Sequence, residues 1–347
     1  MVRPMVSYIG VTQVAGVVAY LLIFWVFIKK LPSPSTPPQV IETLPSPSKT
    51  NILVAMAIDC TSIGNIRNIT RSIQVPATSN VEIFWYFNIY NAKSDKCTNE
   101  GNTTNQTPQL PRVRIAQEEI IKSIFWLKFL KPQNVQVEFN TRFDFVWMVD
   151  SDLLLEALNF GAFLHIVQTL DFGIAQPAIL GTCSTCRGSD HLHLNKRSVP
   201  DLSVIAKTAS IIEIMTPFMK FEVWQQLHPL LEAVYPEELI ELRSNYFNSS
   251  DCGSDLWWCG YVWDQIKQSK QNIDIIPLAA HPCGVVHATP LFHKNTKTVP
   301  TKSKEFEKAY SSALRRHRMM YPTYFESAKE LKKLSGQEFT VTDVYPH

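Results

Sequence analysis

The chain has 347 residues, with 33 Lys+Arg against 31 Asp+Glu and a formal net charge of +2. That balance excludes a general polyanion binder, which needs a basic excess or stripe, and a composition 45% hydrophobic and 11% aromatic excludes disorder throughout. Seven cysteines are too few for a disulfide scaffold, and the odd number leaves at least one unpaired within the chain.

No charged side chain occurs from Pro4 to Ile28. Tyr8–Ile28 is long enough to cross a bilayer core of roughly 30 Å as a helix, and Tyr8 and Trp25 lie near its ends, where amphipathic rings favour the interface. The rival reading is a cleaved signal peptide; against it, the run is long and no small-x-small site precedes Lys29 and Lys30. Arg3 and these lysines flank both ends, so the positive-inside rule gives no orientation. The sequons at Asn68, Asn102, Asn105 and Asn248 all follow the apolar run, which favours a luminal or extracellular body. Residues 31–48 hold six prolines and read as a semi-rigid stem. The expected layout is a cytosolic tail over residues 1–6, a transmembrane signal anchor over 7–28, a stem over 29–50, a folded body over 51–293 and a basic, helical extension over 294–347.

Asn51–Ile58 is a continuous apolar run that ends at Asp59, the pattern of a buried parallel strand delivering a polar loop. Ile63–Ile73 can supply a crossover helix and Val81–Ile89 the next strand. Residues 91–112 are polar and read as a surface loop. Ile115–Leu130 has helical spacing and stops at Lys131-Pro132. Phe143–Val149 is a further strand that runs into Asp150-Ser151-Asp152. Leu158–Leu170 reads as a helix, Phe172–Ala175 as a strand ending at Gln176-Pro177, and Ile211–Phe218 as a strand. Phe221–Val234 and Leu256–Lys267 read as helices, with late strands at Ile273–Pro277 and Gly284–His287. Alternating strands and helices predict an α/β domain with a mainly parallel sheet flanked by helices.

Chemistry concentrates at strand ends, where open α/β sheets bind ligands. Asp150 and Asp152, one residue apart on such a turn, can face a hard divalent cation together; Mn²⁺ or Mg²⁺ takes oxygen ligands and bridges to substrate phosphates. The plain alternative is an acidic turn. His287, in Gly284-Val-Val-His287, can add a metal or phosphate contact, with His281 and His293 as competitors for that role. Asp255 follows Cys252-Gly-Ser and reads either as a helix N-cap or as a base accepting a proton from an acceptor hydroxyl. Trp257 and Trp258 can stack on a sugar or simply pack. Glu213, isolated in an apolar run, needs a partner or a wet pocket. Cys183, Cys186, His191 and His193 resemble a zinc grouping with the wrong spacing for a finger, so a disulfide or a simple loop competes. Cys252, Cys259 and Cys283 allow several pairings. The basic residues Lys302, Lys304, Lys308, Arg315, Arg316 and Arg318 can touch diphosphate or membrane, or form a solvated helix face. No Walker A, G-x-G-x-x-G or G-x-S-x-G string occurs, which disfavours P-loop, dinucleotide and α/β-hydrolase sites.

Lys128-Phe-Leu-Lys-Pro132, Phe143 to Leu153, Ile174-Ala-Gln-Pro-Ala178, Ile212-Glu-Ile-Met-Thr-Pro217 with Trp224, Gly253-Ser-Asp255 and Val285-Val-His287 occur in this order. The series resembles a plant and algal family of uncharacterised type II membrane proteins, itself similar to glycosyltransferases of the GT-A fold. The chain departs from that family at Ser151, where the family has an acidic residue, and at Cys252-Gly-Ser-Asp255, where it has tryptophan-glycine-leucine-aspartate. The resemblance implies a GT-A-like, Rossmann-like domain and a nucleotide-sugar donor. It further implies Mn²⁺ (or Mg²⁺) at Asp150 and Asp152, with His287 near the metal and Asp255 near the acceptor. The expectation is a metal-dependent glycosyltransferase acting on a glycan or other hydroxyl acceptor, with Asp59 near the nucleoside. It would be anchored in the Golgi or ER membrane through residues 7–28, with a luminal body and no nucleic-acid partner. The alternative is a non-catalytic GT-A-like domain that binds glycans or acts as a scaffold.

Overall fold

The computed structural model describes residues 49–76, 79–90, 112–118, 122–180, 193–194, 204–235, 253–272, 278–294 and 304–345. The expected anchor and most of the stem lie outside the described residues, as do Cys183, Cys186, His191, Cys252, the Ile273–Pro277 strand and three of the four sequons. Among the described residues no helix is long and apolar enough to cross a membrane.

In chain order the strands are β1 (Thr50–Ile58), β2 (Val81–Ile89), β3 (Val113–Ala116), β4 (Phe145–Asp150), β5 (Leu153–Leu154), β6 (Phe172–Leu180), β7 (His193–Leu194), β8 (Val204–Thr208), β9 (Phe218–Lys220), β10 (His281–His293) and β11 (Glu338–Thr340). The α-helices are α1 (Ile66–Ser72), α2 (Lys122–Phe129), α3 (Pro132–Phe139), α4 (Phe160–Thr169), α5 (Phe221–Val234), α6 (Asp255–Gln271), α7 (Lys304–Met320), α8 (Pro322–Leu334) and α9 (Val341–Val344). The sheet runs β11-β8-β10-β6-β9-β4-β1-β2-β3, with β5 on β10 and β7 on β6. β3, β2, β1 and β4 pair in parallel. β9 lies antiparallel between β4 and β6, and β6 pairs β10 in parallel. Successive strands grow outward from β1 to β2 and β3, and the chain then returns to place β4 on the other side of β1. The strand order therefore reverses between β1 and β4.

Side chains alternate across a strand, and here both faces are covered. Leu53, Ala55, Val146 and Met148 join Trp224, Trp257 and Trp258 on one side. Ile52, Val54, Met56 and Trp147 join Phe160 and Phe163 on the other. Burial on both faces explains why β1, β2 and β4 read as unbroken apolar runs. Cys259 of α6 and Cys283 of β10 form a disulfide with a Cα–Cα distance of 5.7 Å, well within the reach of such a bridge. Cys60 is also disulfide-bonded. Of the pairings open to Cys259, the structure takes the one with Cys283.

Three predicted elements are corrected. The Ile115–Leu130 helix begins instead as β3, a four-residue strand beside β2, and α2 starts later. Pro132 does stop α2, but it also opens α3 as its first residue, where a missing N–H costs nothing. Ile211–Phe218 is not a strand: residues 211–217 form turns, and the strands are β8 before them and β9 after them. The segment still lies along β4, because Met148 and Asp150 donate backbone hydrogen bonds to Pro217 and Met215 at 3.0 and 2.9 Å. Pro217 accepts but has no N–H to return, so the ladder stays half-made until Phe218. β6 in turn does not end at Gln176-Pro177. β9 pairs it only as far as Ala175, and Pro177 falls where that side needs no ladder donor. At the far edge, β11 pairs with β8, so the basic C-terminal segment completes the same sheet.

Candidate active site

The reversal of strand order opens a crevice outside the carboxyl ends of β1 and β4, the place where open α/β sheets bind ligands. In the β1–β4 register Ala57 pairs with Asp150, the last residue of β4, and Asp59 follows just beyond Ile58. Asp59 and Asp150 thus stand on either side of the crevice. Asp59 accepts from the Thr61 N–H and hydroxyl at 2.9 and 2.8 Å and caps the 3₁₀ turn Cys60–Asn65. Tyr90, at the end of β2, completes this side. Burial first, and then the charges of Asp59, Asp152 and Asp150, push its phenol above the usual range.

The two carboxylates of the acidic turn take different partners. Both oxygens of Asp150 accept from Lys122 Nζ of α2, at 2.8 and 3.1 Å. Asp152 Oδ2 lies 2.9 Å from His293 Nε2 at the end of β10. This second pairing is built by the backbone: β5 pairs with Phe292 and His293, and the Lys294 N–H donates to the Asp152 carbonyl. Of the late histidines, His293 is the one that meets the acidic turn. His287 sits six residues earlier on β10, about 20 Å of extended strand at most. Its Nε2 is buried without a hydrogen-bond partner, and burial together with Lys207 lowers its pKa against the pull of Glu338. Those neighbours belong to the β8–β11 edge.

A third carboxylate group closes the crevice. Asp255 is the first residue of α6, after Ser254 in the N-cap position. It is half-buried, and its Oδ1 accepts from the Gly253 N–H at 3.2 Å. A helix N-terminus favours a carboxylate. Burial, and then the charge of Glu213, outweigh that preference and push its pKa up to about 7. Lys122 acts on Asp255 in the opposite direction, so this one lysine links the Asp150 side to the Asp255 side. Glu213 is placed by the segment along β4. Trp147 Nε1 donates to Thr216 Oγ1 at 2.9 Å, and the Glu213 N–H donates to the buried amide oxygen of Gln176 at 2.6 Å. Trp257 and Trp258 are fully buried and pack, so neither is a sugar platform.

The structure thus draws Asp59, Asp150, Asp152, Glu213 and Asp255 to one end of the sheet, brings His293 there of the competing histidines, and adds Lys122, Tyr90 and Gln176. Among the described residues no group of three or more His, Cys, Asp and Glu side chains converges to hold a metal ion. Asp152 and His293, each less than one-fifth exposed, do fit as two ligands of a divalent ion, the remaining positions falling to phosphate oxygens and water. A separate cavity of about 440 Å³, lined by Lys49, Arg142, Asp144 and Lys220, lies at the opposite end of β1 and β4, away from these groups.

No family model matches the chain, and no curated protein matches it. Solved structures give distant likenesses. Residues 1–349 of TarS from S. aureus in complex with UDP show 15% identity over 78% of this chain and 72% of that one, with a TM-score of 0.35. The mannosyltransferase PcManGT from Pyrobaculum calidifontis in complex with GDP-Man and Mn²⁺ shows 11% identity over 92% and 83%, with a TM-score of 0.36. Glucosyl-3-phosphoglycerate synthase from Mycobacterium tuberculosis, in complex with Mn²⁺, UDP and phosphoglyceric acid, shows 12% identity over 78% of each chain, with a TM-score of 0.34. At these scores a functional reading rests on the crevice itself.

Proposed function

We propose that the protein is a metal-dependent glycosyltransferase of GT-A-like architecture, moving a sugar from a nucleotide-sugar donor to a hydroxyl acceptor. The observation that carries this reading is the position of the acidic turn. Asp150 and Asp152 stand at the strand-order reversal beside β1, and Asp152 meets His293 there at 2.9 Å. Asp152 and His293 would hold the ion, Mn²⁺ or Mg²⁺, and Asp59 and Tyr90 line the β1–β2 side where a nucleoside would lie. A bound divalent cation supplies Lewis-acid stabilisation of a diphosphate leaving group. Asp255, with a pKa pushed up to about 7 by burial and then by the charge of Glu213, is matched to accept the acceptor hydroxyl's proton.

The same reading places the body in an oxidising lumen, behind a single-pass anchor over residues 7–28 in the Golgi or ER membrane. The Cys259–Cys283 bridge, the bonded Cys60 and the exposed sequon asparagine Asn68 support it.

The test is thermal stability of the full-length protein with UDP-, GDP- and CMP-sugars, each with and without Mn²⁺. A ligand that binds only the folded state raises the melting point. One nucleotide class should do so, and only with Mn²⁺. Asp152→Asn should abolish the shift while melting normally without ligand. A folded sample that responds to no donor would replace the transferase with a non-catalytic glycan-binding domain.

A further inference from the structure

We infer that Lys122 sets the metal affinity of this site by holding Asp150 away from the ion, which leaves Asp152 and His293 as the protein's ligands. The inference rests on the transferase reading above.

Asp150 and Asp152 are close enough in sequence to chelate one cation, yet each is turned to its own partner. Lys122 Nζ takes both Asp150 oxygens, and the pair is largely shielded, with 16% and 27% of the two side chains exposed. The lysine is not a swinging surface group. Its ammonium lies 5.5 Å from the centre of the Trp126 ring, and Trp126 is buried with its ring 6.2 Å from that of Trp258 in α6. A bidentate partner and an aromatic face fix one position for the charge. Asp152 is held by the β5–β10 pairing, which carries its carboxylate toward His293. A divalent ion at Asp152 must therefore compete with an ammonium for Asp150. Two protein ligands bind such an ion loosely, and affinity rises with the number of charged ligands. The ion should enter together with a diphosphate, whose oxygens complete its shell, rather than rest in the empty enzyme.

The experiment is a Mn²⁺ titration of the full-length protein without donor, followed by electron paramagnetic resonance of the free ion. Lys122→Met should bind Mn²⁺ about tenfold tighter than wild type, because the freed Asp150 becomes an added carboxylate ligand. Lys122→Arg should match wild type, and Lys122→Met combined with Asp150→Asn should return to it. Lys122→Gln serves as the second variant if Lys122→Met does not fold. A merely structural lysine would give no gain of affinity on removal. Unchanged Mn²⁺ affinity in the folded Lys122 variants, with binding still lost in Asp152→Asn, would overturn the role of Lys122 and leave the transferase reading standing. Failure of wild type and Lys122→Met alike to take Mn²⁺, even with UDP or GDP present, would overturn both.

Discussion

Two ionisable residues, one buried and one half-buried, bend the stability profile in opposite directions. His317 is fully buried. Trp257 Nε1 donates to its Nδ1 at 3.1 Å, which leaves the proton on Nε2, 3.4 Å from the Tyr235 hydroxyl. Burial, assisted by Arg316, lowers its pKa to about 4 from 6.5. Between those values the unfolded chain binds the extra proton, so the stability due to His317 is complete above pH 6.5 and lost as pH falls toward 4. The difference amounts to about 3 kcal/mol at most. Asp255 does the reverse: its raised pKa means that the folded state binds the extra proton, and its contribution is lost as pH rises from 3.8 toward 7. Urea unfolding of Asp255→Asn should therefore show stability climbing more steeply from pH 4 to 6.5 than in wild type. Adding His317→Asn should flatten that climb.

The same scale shows what the sequence could say about chemistry. Asp59 and Asp150 were legible as candidates because each follows an apolar strand at its carboxyl end, while Asp255 kept a helix-cap reading beside its chemical one. Of the late histidines named from the sequence, His293 rather than His287 meets the acidic turn, because β10 does not stop at His287. A register shift between Val286 and Leu291 carries the strand on to His293, and no local pattern announces it. Lys122 and Gln176 sit within ordinary helix and strand sequence, and their roles arise only from partners far along the chain.

At the level of elements, α6 packs against α8 with Gly260 facing its backbone. A Cβ on Gly260 would lie 2.0 Å from the Tyr324 carbonyl oxygen and 2.7 Å from the Ala328 nitrogen. Neither is the movable end of a side chain, so α8 would have to shift as a body. Gly260→Ala should cost about 3 kcal/mol or more, whereas Gly64→Ala, with nothing within 4 Å of the added atom, should stay within about 0.5 kcal/mol of wild type. Chemical denaturation of both variants checks this. Long elements with one clear pattern could be read directly, whether an unbroken apolar run as in β1, β2 and β4 or a helical period as in α5. α5 follows its pattern despite an internal proline at Pro229. The elements that escaped were short or half-laddered. β3 and β11 have too few residues to show a period, and Pro217 turned an apolar run into a strip of one-way hydrogen bonds.

For the whole molecule, the C-terminal residues belong to the sheet rather than to an appendage. Phe339 of β11 is buried with its ring 5.9 Å from that of Phe172 and 5.0 Å from that of His281. β11 also covers the outer edge of β8 from Val204 to Lys207. A chain stopped after Gly336 would lose this aromatic contact and leave that edge unpaired, a template for association. It should melt at a lower temperature than the full chain and elute from size exclusion as concentration-dependent oligomers.

The reversal of strand order also governs when the site exists. The strands β1 to β4 and the acidic turn leave the ribosome before α6 and the distal end of β10. A nascent chain can therefore shape its parallel half early, with Asp150 already beside Lys122 while Asp152 still waits for His293. A chain made only as far as α6 would carry the scaffold of the crevice without the Asp152–His293 pair, and so without the chemistry that pair would serve.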